Sequence, residues 1–213
     1  MFSKLNLANS FADALQEHLE VVRQLEAQIP ALQAIAMAMT AALGRGQKIL
    51  WCGNGGSAAD SQHLSAELVG RFRHERRGLA SIALTTDSSI LTSVANDYGY
   101  EAVFSRQIEA LGDPGDLLVA ISTSGNSRNV IAALESARAL GLVTVAFSGA
   151  GGGKMSAIAD HLFEAASRDT ARIQEAHILA GHMLCEWIEI DHLQTRSASD
   201  FVAPAESIEA QPA

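Results

Sequence analysis

The chain has 213 residues, of which 48% are apolar and only 5% aromatic, so one domain with or without an appendage is expected, its core filled by Ala, Leu, Val and Ile. A formal charge of −9 argues against broad nucleic-acid binding through phosphate neutralisation. Two cysteines, Cys52 and Cys185, lack zinc-knuckle spacing and are too few for a disulfide scaffold, which makes a reducing cytosol the simplest compartment.

Along the chain, residues 7–28 place Leu7, Phe11, Leu15, Leu19, Val22 and Leu25 at helical spacing with charges between them. A second helix is predicted over 30–43, with Pro30 in its first turn and Gly44-Arg45-Gly46 ending it. A strand–helix alternation follows. Strands are predicted at 48–52, 80–85, 117–122, 142–148 and 161–166, and helices at 57–70, 87–96, 101–111, 127–140 and 171–193. Residues 113–116 read as a turn and 149–154 as a flexible glycine turn. Continuous apolar strands alternating with helices predict an α/β fold, a five-stranded parallel sheet covered by helices on both faces. The division expected is 1–46 for N-terminal helices that pack on the core and on partner subunits, 47–194 for the sheet domain, and 195–213 for a polar, disordered tail. No apolar run followed by a small-residue cleavage site opens the chain, and no window reaches about 18 uninterrupted apolar residues. The expectation is a soluble cytoplasmic protein with no membrane partner.

In open parallel sheets ligands sit beyond the carboxyl ends of the strands. Two such ends carry suitable loops. The first is Cys52-Gly-Asn-Gly-Gly-Ser57, whose glycines allow close backbone approach and whose Ser57 is expected to cap the next helix. The second is Ser122-Thr-Ser-Gly-Asn-Ser127, a set of hydroxyl donors before a helix N-terminus that suits a phosphate monoester. Either loop alone is equally a capped helix start; the pair at two ends of one sheet favours a phosphorylated ligand. A dinucleotide fingerprint is absent, because the glycine spacing and the downstream acid are missing.

His63 and Glu67 fall four residues apart on a predicted helix and share a face, where they form either a metal-binding or substrate-flanking pair or an ordinary surface pair. On the last helix Gln174, Ile178 and His182 share one side, His177 faces elsewhere as a structural residue, and His182 by itself reads as a core histidine. Asn96 and Asp97 are expected in a loop. The basic run 71–77 is expected to be a solvated or interface segment from which an arginine could reach a phosphate.

The combination of GNGGSAAD-QH---E, ANDYG, STSGNS and RIQE-H----H, in that order over residues 5–194, resembles the phosphoheptose isomerases of the sugar isomerase (SIS) domain group. The resemblance implies a flavodoxin-like three-layer fold, with N-terminal helices used in a homotetramer. It implies an aldose–ketose isomerase that converts sedoheptulose 7-phosphate to D-glycero-D-manno-heptose 7-phosphate, usually for lipopolysaccharide-precursor heptose biosynthesis. Carried over by motif, Asn54, Gly55, Gly56, Ser57, Glu67, Asn96, Asp97 and Gln174 would contact the sugar phosphate. Ser122, Thr123, Ser124 and Ser127 would hold its phosphate. Glu67 and His182 would be the base and acid, and His63, Glu67, Gln174 and His182 the ligands of one zinc ion. Position 171 is Ala where some members carry an acid, with Asp169 nearby. Gln174 and His182, eight residues apart, would lie about 12 Å apart along a helix axis, so either Gln174 bends inward from a helix start or the two come from different subunits; a site at a subunit interface is expected. The alternative is a non-catalytic SIS protein resembling the replication-initiator-associating protein DiaA. Such relatives lack the residues matched here by Glu67 and His182.

Overall fold

A computed structural model describes residues 10–195. Leu7 and the predicted tail beyond Thr195 lie outside the described residues. In order, the elements are α1 (Ser10–Gln24), a 3-10 turn (Leu25–Gln28), α2 (Ile29–Gly44), β1 (Ile49–Gly53), α3 (Gly56–Val69), β2 (Ser81–Ala83) and α4 (Ser88–Tyr98). After a 3-10 turn (Tyr100–Ala102) come α5 (Ser105–Leu111), β3 (Leu117–Ile121), α6 (Arg128–Ala139), β4 (Val143–Ser148), a 3-10 turn (Gly153–Ala157), β5 (His161–Glu164) and α7 (Thr170–Thr195).

The five strands are parallel in the order β2-β1-β3-β4-β5, the flavodoxin-like arrangement. Strand periodicity sorts the side chains into two cores. Ile49, Trp51, Leu117, Val119, Ile121, Val145 and Phe147 face α1, α2, α3 and α7. Leu50, Cys52, Leu118, Ala120 and Ala146 face α5 and α6, with Leu91 and Val94 of α4 at the margin. Both faces are covered, which is why the strands read as unbroken apolar runs rather than alternating ones.

Four predicted elements differ, the first being the helix expected over 7–28, which gives way to a 3-10 turn at Leu25–Gln28. The second strand is three residues long rather than six, because β2 is a sheet edge and the chain turns at Thr85–Thr86 toward Asp87, which caps α4 through Ile90 N–H at 2.9 Å. The predicted helix over 101–111 is a 3-10 turn followed by a seven-residue helix. The predicted glycine turn at 149–154 runs into a 3-10 turn.

Helix α2 buries Leu32, Ile35, Ala36, Met39 and Ala42 on the sheet; full burial of each large side chain is worth about 1.5–3 kcal/mol. By length and composition Ser10–Gly44 is apolar enough to cross a membrane; 28% of its apolar window is buried, and α2 packs its apolar face on the sheet. Helix α1 buries only Val21 and leaves Phe11 86% exposed.

Candidate active site

The chain leaves β1 toward β2 on one side and leaves β3 toward β4 on the other, so a crevice opens where the carboxyl ends of β1 and β3 diverge. Both glycine- and serine-rich loops lie there. After β1, Gly55 occupies the N-cap position of α3 with φ +56°, a conformation that favours glycine. The helix starts at Gly56, so Ser57 is already inside the first turn and buried, and it does not cap as expected. Asn54 is fixed by a double amide pair with Asn129 of α6 (2.9 and 2.8 Å), and the Tyr100 hydroxyl donates to Asn54 Oδ1 at 3.1 Å.

After β3, the Ser122 hydroxyl lies 3.0 Å from that of Ser127 and 3.4 Å from that of Ser124. Ser127 stands at the N-cap position of α6 without capping it, so the first amides of that twelve-residue helix keep their donors for an anion. The loop is buttressed from behind. Gly149 N–H donates to Thr123 O (3.0 Å), Met155 N–H to Gly125 O (3.1 Å) and Lys154 N–H to Asn126 Oδ1 (3.2 Å). Gly125, at φ +63°, has no room for a side chain, since a Cβ would fall 2.6 Å from the Gly152 carbonyl carbon.

The titratable cluster is built by α3 and α7, which advance side by side. A Cβ on Gly181 would meet Leu64, and one on Gly56 would meet the Gln174 amide. At the far end of this contact His63 Nε2 is 3.2 Å from Glu67 Oε1 and 3.3 Å from His182 Nε2, and the three donor atoms lie within 4.8 Å of one another. Ligands about 2.0–2.1 Å from a tetrahedral zinc ion stand about 3.3 Å apart, so this N, N, O set fits such an ion in chemistry and spacing. Burial lowers the His182 pKa below the ordinary histidine value, His63 lowers it further and Glu67 opposes. One turn earlier, burial raises the Asp60 carboxyl to about 6 against the lowering influence of His63, and its Oδ2 is buried with no partner among the described residues.

Gln174 is not in this cluster. Its amide rests on Gly56, seven residues before His63, which is about 10 Å along α3. Asn96 and Asp97 lie in the last turn of α4 rather than in a loop, because Asp87 starts that helix and Gly99, at φ +86°, ends it after Tyr98. Among the described residues their side chains hydrogen-bond only each other, at 2.8 Å. His177 is buried as expected. Its Nε2 bonds Ser148 O at 3.0 Å, Phe147 and Phe163 flank it, and burial lowers its pKa to about 4 while the Ser148 bond opposes. Asp169 accepts from Ala171 and Arg172 N–H at 2.9 and 3.2 Å and so starts α7.

The basic run is mostly exposed, as expected, and departs from expectation at Arg76. Arg76 is 6% exposed and paired with buried Glu189, so it is no phosphate ligand, and the Phe72 ring lies 5.5 Å from that of His182. Asn129, Tyr100, Phe72, Arg76 and Glu189 all touch predicted site residues or their helices, and no motif in the sequence marks them.

The chain matches the SIS domain over residues 10–149. It is 53% identical over 178 residues to the phosphoheptose isomerase of Roseiflexus sp., covering 83% of this chain and 90% of that protein. It is 57% identical over 152 residues to the phosphoheptose isomerase of Nitratidesulfovibrio vulgaris, covering 71% and 73%. Among solved structures it is similar to the phosphoheptose isomerase of Neisseria gonorrhoeae, with a TM-score of 0.83 and 43% identity over 87% of this chain and 100% of that one.

Proposed function

Because this chain belongs to the phosphoheptose isomerase family of SIS-domain proteins, we propose that it interconverts sedoheptulose 7-phosphate and D-glycero-D-manno-heptose 7-phosphate by enediol-type proton transfer. The observation that carries this reading is the gathering of His63, Glu67 and His182 on α7 and on α3, the helix that starts at the sheet's switch point.

Ser122, Thr123, Ser124 and Ser127, with the free amides of α6, hold the phosphate. Asn54, Gly55, Gly56 and Ser57 at the start of α3, together with Asn96, Asp97 and Gln174, orient the sugar chain. Glu67 takes the proton from the carbon beside the carbonyl and returns it to the neighbouring carbon. His182, kept neutral at pH 7 by its lowered pKa, moves the proton between the two oxygens. Each such group contributes about 10²–10⁴-fold. His63, Glu67 and His182 would hold zinc, joined by Gln174, and zinc bound there would polarise the substrate carbonyl. Ligation lowers the basicity of a carboxylate, so Glu67 would ligate zinc partially or exchangeably.

The separation of Gln174 from the cluster within one chain supports a site completed at a subunit interface of a homotetramer. The exposed Phe11, Leu15, Met183, Trp187 and Ile190 offer apolar surface for that assembly. The reading places the enzyme in the cytoplasm, in envelope heptose synthesis. A non-catalytic DiaA-like role has no support, since the acid–base pair such proteins lack is present here and gathered. Incubating the purified, zinc-supplied protein with sedoheptulose 7-phosphate tests the proposal: an aldose heptose phosphate must appear.

A further inference from the structure

The segment between α3 and β2, residues 70–78, ties the two helices of the site to one buried ion pair. Arg76 and Glu189 each have side chains 1% exposed, and Arg76 Nε donates to Glu189 Oε1 at 3.1 Å. The rest of the guanidinium is spent on the carboxyl end of α3 and on the loop carbonyl of Arg77. Nη2 donates to Glu67 O at 2.9 Å, and Nη1 to Leu68 O at 2.9 Å, Gly70 O at 3.2 Å and Arg77 O at 3.2 Å. A cation there also suits the negative end of the helix dipole.

Glu189 sits on α7 seven residues, or about two turns, beyond His182. Its carboxylate accepts the backbone N–H groups of Phe72 (3.0 Å), Arg73 (2.8 Å) and His74 (2.9 Å), so the loop wraps around it. Burial pushes this carboxyl up, but the amides of Arg73, His74 and Phe72 and the His74 ring outweigh it and hold the group below the ordinary carboxylate range. The wrapped loop delivers Phe72, whose ring lies 5.5 Å from that of His182 at 32°. Arg73 covers the same ring from 5.2 Å and pairs with Glu186 of α7.

We infer that Arg76 and Glu189 are positioning residues for the isomerisation: the pair fixes the backbone that carries Glu67, and through Phe72 it fixes the ring of His182. The inference rests on the isomerase reading. A buried ion pair is a poor source of net stability, since an apolar replacement of similar volume is often neutral. The distribution of donors is the informative part, because it joins the carboxyl end of α3 to α7 at the two residues assigned as base and acid.

Arg76→Lys separates positioning from charge. A lysine ammonium still pairs with Glu189, but its three donors radiate from one atom and cannot serve the fork of carbonyls. We expect kcat to fall about 10- to 100-fold and KM to stay within about twofold, with the melting temperature lower by several degrees from the carbonyls left unpaired. Phe72→Leu keeps an apolar side chain and leaves the ion pair intact; it should lower kcat by about fivefold or more, again without raising KM. A kcat within about twofold of wild type in both folded variants overturns the inference. If Arg76→Lys does not fold, Phe72→Leu decides alone, and normal turnover there overturns it. A wild type that makes no aldose refutes the isomerase reading instead, so the two failures are distinct.

Discussion

Replacing Gly181 by Ala tests whether the contact between α3 and α7 sets the site. A Cβ at position 181 would fall 2.5 Å from both methyl carbons of Leu64 and 3.0 Å from its Cγ. Carbon atoms prefer about 3.5–4.0 Å, so something must move by about 1 Å. Leu64 is fully buried and has nowhere to swing, and therefore the helices must separate or tilt. Overpacking of this kind costs about 1–3 kcal/mol, and the better helix propensity of Ala returns about 1 kcal/mol. The net loss is about 1 kcal/mol, or about 3 °C in melting temperature for a chain of this size. Leu64 follows His63 and Gly181 precedes His182, so the same shift pulls apart two rings whose Nε2 atoms stand 3.3 Å apart. A misplacement of about 1 Å costs roughly 10²-fold in turnover. Steady-state kinetics beside thermal unfolding checks both halves. A kcat within about threefold of wild type in the folded variant would refute the claim that this contact fixes the geometry of the site.

Gly56→Ala should behave differently. Its Cβ would lie 2.6 Å from Gln174 Oε1 and 2.7 Å from its Cδ, the far end of a flexible side chain that can turn away. Stability should hold while KM rises several-fold, from loss of about 1 kcal/mol of hydrogen bonding; an unchanged KM would remove Gln174 from substrate binding. His177 should make the fold acid-sensitive. The folded state keeps it neutral down to about pH 4 while the unfolded chain takes up a proton near pH 6.5. Its contribution is therefore intact above pH 6.5 and lost as pH falls toward 4, amounting to about 2 kcal/mol at pH 5. Urea unfolding at pH 7 and pH 5 should show that loss in the wild type and a correspondingly smaller one in His177→Gln; equal losses would contradict it.

Much of this protein is legible in its sequence because its signals are local. Apolar strand runs, Pro30 at a helix start and glycines after strands mark all five strands and every helix within a few residues. The two loops follow from their places after the first and third predicted strands, and His63 with Glu67 follows from helical spacing. What stays hidden depends on long-range contact. His182 looks like a core residue by its local surroundings and is marked only by the family motif; its place beside His63 comes from the packing of α7 on α3. Arg76 looks solvated in a basic run because its partner, Glu189, is 113 residues away. Asn96 and Asp97 read as a loop, since Asn and Asp favour turns, yet Asp87 and Gly99 set the bounds of α4 and enclose them. Asn129 carries no motif of its own, and its place opposite Asn54 comes only from the pairing of β1 with β3.

The most direct measurement follows sedoheptulose 7-phosphate by nuclear magnetic resonance with the wild type and with Glu67→Gln. The account predicts an aldose heptose phosphate from the wild type. For Glu67→Gln it predicts substrate affinity within a few-fold of normal and a kcat lower by about 10²–10⁴-fold. No aldose from the folded, zinc-supplied wild type, or near-normal turnover by Glu67→Gln, would contradict it.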